Sequence, residues 1–285
     1  MTQLWNAWLL RMDRQMDPRP LAMVRIALPL CVLADLARLA QLGLLSSVFT
    51  PYAHGGLSRI DNPNAILWDW FGPSGPWLGL GLTAACMVLV AIGRWMRPAI
   101  VVGVLAYAQL GHLYPPGDRA IDRMVRTALL ILLFSHADKA LVWGRTMVRR
   151  IPAWPAWFLR FFLVLVYLSA GMGKLLQQPG WVSLNADPPL LRILTDPMAA
   201  SLDPAFWAPH AEWFRWAGFA TIALELSSPL LLTRAYPYWA VFGLLMHLGI
   251  WATMSLGMFS AGMIALYPVL LAPFILRRWP QSRAE

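Results

Sequence analysis

From Pro155 to Lys174 the chain reads PAWFLRFFLVLVYLSAGMGK, an apolar run interrupted by a single arginine. About 20 mostly apolar residues suffice for a helix to cross the hydrocarbon core of a bilayer. The hydropathy does not alternate along the run, which excludes a strand of a membrane barrel. Comparable runs recur along the chain, predicting eight spans at 21–44, 77–94, 97–114, 122–137, 155–174, 211–232, 237–256 and 258–276. Apolar residues make up 59% of the sequence and charged residues only 13%. A soluble domain carries about 25% charge. The expected fold class is therefore all-α, a polytopic membrane helical bundle.

Charge placement supports that reading and excludes another. A net charge of +9 is compatible with nucleic-acid binding. Here, however, the basic residues punctuate apolar segments instead of forming a stripe, so no nucleic-acid partner is expected. They read as insertion signals. With the N-terminus inside, thirteen basic residues fall in one set of loops. Five fall in the other: Arg59, Arg119, Arg123, Lys174 and Arg192. This predicts that both termini are cytoplasmic.

Three segments are expected. Residues 1–20 lack the basic start and clean apolar core of a cleavable signal peptide. Instead Trp5, Trp8, Leu9, Met12 and Met16 recur at helical spacing before Asp17-Pro18. That pattern predicts an amphipathic helix in the membrane interface. Residues 21–277 form the transmembrane domain, and 278–285 a short basic cytoplasmic tail. The long loops 46–76 and 175–210, rich in proline and tryptophan, are expected to carry short helices. Cys31 and Cys86 each lie in an apolar run and read as small buried hydrophobes.

A charge at the centre of a spanning helix costs about 2.5–3.5 kcal/mol on insertion scales, so each one needs a reason. Asp35 and Arg38 are three apart, and Asp122 and Arg126 four apart, spacings that let each pair neutralise locally. Arg25 lies near enough to one boundary to snorkel. Glu225 and His247 fall at similar depth on consecutive spans, where they would meet as a structural hydrogen bond, a proton relay or a ligand anchor. The five histidines show no metal-ligand spacing, so no metal is predicted. Lys174 is one of only two lysines. It is either an interfacial anchor or, beside Gly171 and Gly173 in a helix that another group can approach closely, a general base.

These residues also resemble a known family. Tyr167, Ala170-Gly171 and Lys174, followed by Trp181, resemble the Y-x-x-A-G-x-x-K…W signature of the HTTM domain. That domain is the membrane domain of vitamin K-dependent gamma-glutamyl carboxylase and of many bacterial proteins. Glu225 with Pro229, then His247, Met254 and Phe259-Ser260, resemble its later motifs, and Arg25 and Asp35 fit its first helix. The resemblance spans roughly residues 15–277. It implies a quinol-dependent enzyme in which Lys174 deprotonates a menaquinol or vitamin K-type hydroquinone. Asp122 and Arg126 would orient the outer site, with His247 a further catalytic candidate. Asp122 stands at or near the place of a catalytic histidine of the carboxylase. The chain reaches Glu285 without the carboxylase's large luminal domain, which argues against gamma-carboxylation of a propeptide-bearing protein; the expected second substrate is a glutamate-containing peptide or another C–H acid at the outer side. The expected location is the bacterial inner membrane. Two other readings stay open: a non-catalytic scaffold or partner subunit, and a DoxX-like quinone-associated subunit.

Overall fold

The computed structural model describes residues 2–142, 144, 148–184, 187–196, 199–201 and 203–275. The expected basic tail, with Arg145 and Arg277 of the charge pattern, lies outside them. The described chain is almost entirely helical. Its only strands are two two-residue segments that pair antiparallel. Contacts divide it into two units, Met1–Pro155 and Ala156–Glu285.

Unit 1 opens with α1 (Thr2–Met12), shorter than the predicted interfacial helix. Met16 lies instead in β1 (Gln15–Met16), which pairs with β2 (Ile151–Pro152) at the other end of the unit. Trp5 and Trp8 stack, and both are exposed. α2 (Arg19–Gln41) begins at a proline-rich turn, where missing N–H groups cost nothing. Its internal Pro29 cannot donate to the carbonyl of Arg25 one turn earlier. α3 (Leu44–Phe49) and α4 (Ile66–Phe71) are the short helices expected in the first long loop. α5 (Gly75–Ile92) ends at Gly93, whose positive φ closes the helix in a left-handed cap.

α6 (Met96–Leu113) packs against α5 at Gly103. A Cβ there would stand 2.8 Å from that of Cys86, so the small residue is what lets the two backbones approach. Pro115 and Pro116 end α6, and α7 (Ala120–Leu133) follows. At that end of the unit Arg59 N–H donates to Leu113 O and Asn62 Nδ2 to His112 O. The first long loop thus lies over the α6–α7 turn.

Unit 2 is built on α8 (Trp154–Gln177), which crosses the boundary between the units and ends just before Pro179. α9 (Pro189–Thr195) and α10 (Pro204–Trp207) occupy the second long loop, again as expected. α11 (Ala211–Leu226) is followed by a 3-10 turn, Ser228–Leu232, started by Pro229. Ser228 Oγ donates to Val164 O of α8, and Trp239 Nε1 donates to Leu224 O near the end of α11. α12 (Tyr236–Thr253) runs to an extended segment in which Ser255 N–H donates to Ala199 O, tying it to the second long loop.

The predicted last span is broken. α13 (Phe259–Ile264) and α14 (Pro268–Ile275) are separated by a turn, because Pro268 lacks the N–H needed to continue the ladder. Tyr267 sits at that break.

The interior is mostly apolar, yet it holds charged and polar groups while many large apolar side chains are exposed. Arg25 is 0% and His247 1% exposed, whereas Leu105 and Phe242 are both 63% exposed. Among the described residues three helical stretches, Arg19–Gln41, Ile66–Ile92 and Trp154–Gln177, are long and apolar enough to cross a membrane.

Candidate functional site

The residues singled out in the sequence fall into two separate groups. Tyr167, Lys174, Trp181, Glu225 and His247 belong to unit 2, and Arg25, Asp35, Asp122 and Arg126 to unit 1.

In unit 2 one face of α8 carries Tyr167, Gly171 and Lys174, spaced four and three apart. Lys174 Nζ donates to Glu225 Oε1 at 2.7 Å and to Oε2 at 2.9 Å. Its ammonium also lies 5.3 Å from the centre of the Trp181 ring, a cation–π contact. Gly171 makes the bridge possible, since a Cβ there would meet the Glu225 Cβ at 3.0 Å. Gly173 faces open space, so only the first of the two glycines serves a close approach.

Two turns before Lys174, the buried Tyr167 hydroxyl bonds to His247 Nε2 at 2.7 Å and to the Tyr267 hydroxyl at 2.8 Å. The Tyr267 hydroxyl reaches Tyr167 beside Gly243, where any Cβ would collide with it. Trp239 packs edge-on against Tyr167, 4.8 Å between ring centres, and Phe259 leans on His247. His247 Nδ1 and Ser260 Oγ are buried with no hydrogen-bond partner among the described residues.

The expected Glu225–His247 contact does not form. Glu225 is taken by Lys174, which brings charge to charge, and His247 is taken by the neutral Tyr167 hydroxyl. Depth along the helices was a poor guide, because partner choice follows which faces meet. Nor is Lys174 a free snorkelling amine: it is bridged, with its side chain 20% exposed.

In unit 1 both local pairings predicted from spacing are replaced. Asp35 accepts from Arg119 Nη2 at 2.6 Å, not from Arg38. Asp122 accepts from Arg119 Nε at 3.0 Å and from its backbone N–H at 2.8 Å, the latter half of a capping box at the start of α7. The Tyr107 hydroxyl also donates to Asp122. Arg126 pairs with Asp118 at 2.7 Å, and Arg123 joins from the exposed side at 3.2 Å.

Arg119 carries a fork of donors that a carboxylate matches in two directions at once, and its place just before α7 brings that fork to both Asp35 and Asp122. Burial disfavours its charge, but the bonds to Asp122 and Asp35 outweigh that and raise its pKa further. Burial likewise pushes the Asp118 carboxyl up, and the hydrogen bonds and charges of Arg126 and Arg123 overcome this to hold it below its ordinary value. Beside this network lies a cavity of about 240 Å³ lined by residues of α2, α3, α6, α7 and the turn before α7.

Arg25 is at the opposite end of α2, where Nη2 donates to Leu141 O at 2.7 Å. Its Nη1 lies against Gly93, at a point where any Cβ would collide. Nε and Nη1 have no hydrogen-bond partner among the described residues. No group of histidine, cysteine, aspartate or glutamate able to hold a metal occurs among the described residues.

Sequence reasoning missed Tyr107, Asp118, Arg119 and Tyr267. Arg119 carried a signal, being three residues before an acidic first-turn residue; Tyr267 carried one in its place before Pro268. No protein-family model, curated protein or solved structure matches this chain.

Proposed function

We propose that the chain is a polytopic membrane enzyme of the HTTM-like, carboxylase-related class, acting on a quinol through the Lys174–Glu225 pair of unit 2. One observation carries the reading. Tyr167, Lys174, Trp181, Glu225 and His247, up to 80 residues apart in sequence, meet in one unit as an ion pair, a cation–π contact and a buried hydrogen-bond chain. These are the positions on which the resemblance rests. In this reading all eight apolar segments span, both termini are cytoplasmic, and the location is a bacterial inner membrane.

The chemistry follows from the pair. An amine donating to both oxygens of a carboxylate is not a base in that arrangement. In an apolar setting, however, a lysine–glutamate pair exists either as two ions or as a neutral amine and acid. With the shared proton on Glu225, Lys174 presents a lone pair to a quinol hydroxyl. Once Lys174 has taken the quinol proton, the ammonium stays neighboured by Trp181. Tyr167, held by His247 and Tyr267, fixes the α8 face on which Lys174 stands. The second substrate is a C–H acid such as a glutamate-containing peptide.

A helix-locking role is the second reading, and it too has an observation: Lys174 joins α8 to α11 through both carboxylate oxygens. Turnover separates the two. Purified protein in lipid, given menaquinol and oxygen, is assayed for quinone and epoxide. Positioned acid–base groups contribute about 10²–10⁴-fold, so Lys174→Met and Lys174→Arg are both expected to lose at least about 10²-fold, because guanidinium does not deprotonate in proteins. Full product from Lys174→Arg, or none from well-folded wild type, decides for helix locking.

A further inference from the structure

One stripe of α11 organises the surroundings of Lys174. Arg215, Gly218, Ile222 and Glu225 recur at spacings of three, four and three, which places them along a single side of the helix. The last three are buried. Glu225 bridges Lys174 at 2.7 and 2.9 Å. Gly218 seats Trp181: a Cβ added there would stand 3.6 Å from Trp181 Cε3, so the indole rests on a bare turn of helix. The same ring lies 5.3 Å from the Lys174 ammonium. A carboxylate and an indole thus crowd the amine, and the lysine side chain is only 20% exposed.

Arg215 begins the stripe and has no part in the acid–base chemistry. Its Nη1 donates to Ser183 O at 2.9 Å and also to Leu184 O. These carbonyls follow Trp181 by two and three residues. On the preceding side the ring is tied by its own Nε1, which donates to Gln178 Oε1 at 2.8 Å. The Arg215 side chain is 14% exposed, so little water competes for the carbonyl bonds. Its other partner, Glu212, is 70% exposed and screened by solvent. A group set against a reactive side chain keeps its place only as firmly as its own supports allow. Arg215 is the support that α11 gives to the segment carrying Trp181.

We propose that Arg215 is a positioning residue for the Lys174 site: by gripping the carbonyls of residues 183 and 184 it keeps the Trp181 ring on Lys174 and limits access of water-borne solutes to the amine. The inference rests on the quinol reading only for the identity of the substrate that Lys174 meets; the shielding itself is measurable without turnover.

The test uses the full chain in lipid nanodiscs and sulfosuccinimidyl acetate, a water-soluble reagent that acetylates amines. The chain has only two lysines, so Lys139, in the other unit and 43% exposed, is the internal reference. Peptide mass spectrometry gives the initial rate at Lys174 relative to Lys139. Arg215→Met keeps the apolar stem and removes the donors. It is expected to raise that ratio about twofold to fivefold, the size of a cation–π contact at a partly exposed site. Trp181→Ala is expected to raise it at least as much. Because Arg215 acts through Trp181, Arg215→Met in the Trp181→Ala background is expected to add nothing, a pattern that a merely structural clamp would not produce. If Arg215→Met does not fold, Arg215→Lys carries the test, with one ammonium in place of a fork and a smaller rise expected. A ratio unchanged in a folded Arg215 variant, or an equal rise with and without Trp181, overturns the proposal. Lack of quinol turnover by wild type counts against the Lys174 chemistry alone and leaves the labelling result standing.

Discussion

In unit 1 two carboxylates, Asp35 and Asp122, share a single arginine, and a tyrosine hydroxyl and a backbone N–H close the network. In unit 2 one carboxylate has one lysine, and the buried histidine nearby keeps a ring nitrogen without a partner. The first arrangement resists change, because every move strands several groups. The second joins one amine to one carboxylate, so a single substitution strands only one group. Buried charge is thus arranged in two ways in one chain: cross-linked in unit 1, and paired singly in unit 2, where the proposed quinol chemistry would use it.

The largest effect is expected from breaking the shared arginine. Arg119→Met leaves Asp35 and the buried Asp122 without their cation. Removing one partner of a buried pair costs about 3–5 kcal/mol, and the partial exposure of Arg119 puts the expected loss near the lower figure. Thermal unfolding in detergent, followed by size-exclusion chromatography, reads it. If Arg119→Met is no less stable than Lys174→Met, the contrast between the units fails.

Tyr167→Phe comes next. It strands His247 Nε2 and the Tyr267 hydroxyl together, and each buried unsatisfied group costs about 1–3 kcal/mol. The expected loss is about 2 kcal/mol, and Tyr267→Phe is expected to lose less because the Tyr167–His247 bond survives it. The same unfolding assay compares them.

The two glycines of α8 sharpen the picture within unit 2. Gly171→Ala pushes a methyl group against Glu225 and Leu226, and overpacking of this kind costs about 1 kcal/mol or more. Gly173→Ala meets nothing and is expected to stabilise slightly, since alanine favours a helix over glycine. Equal melting temperatures for the two variants argue against a close α8–α11 approach.

Acid is expected to act on unit 1 through Asp118. Its carboxyl is held below the ordinary value of 3.8. A group depressed on folding contributes stability above its ordinary value and loses that contribution as pH falls through the depressed one. Melting temperature measured downward from pH 6 is therefore expected to fall more steeply below about pH 4 in wild type than in Asp118→Asn. The smallest effect is expected from Arg38→Ala, within about 0.5 kcal/mol. Arg38 is exposed and Asp35 turns to Arg119 instead. A loss comparable to that of Arg119→Met restores the local pair.

The helical class and the long apolar helices were legible in the sequence, because apolar runs are local signals. The partners were not. Asp35 bonds a residue 84 positions away in preference to one three positions away, and Lys174 reaches Glu225 across 51. Such choices depend on which faces meet, which spacing along one helix does not encode. The break before Pro268 was readable, since proline interrupts a helix ladder wherever it falls inside one. An apolar run long enough to span concealed it, and with it the hydroxyl that Tyr267 supplies to Tyr167.

The small β1–β2 pairing bears on how the protein is made. It joins Gln15 to Pro152 and Met16 to Ile151, so the beginning of unit 1 is clasped to its end. Domains fold as units during synthesis, N-terminal first. The clasp cannot close until the ribosome has delivered residue 152. Once it has, unit 1 holds all its own partners, including both carboxylates of the shared arginine, while Lys174 and Glu225 are still to come. Unit 1 can thus close before Glu225 of unit 2 has been added, and that order is written into where two short strands meet.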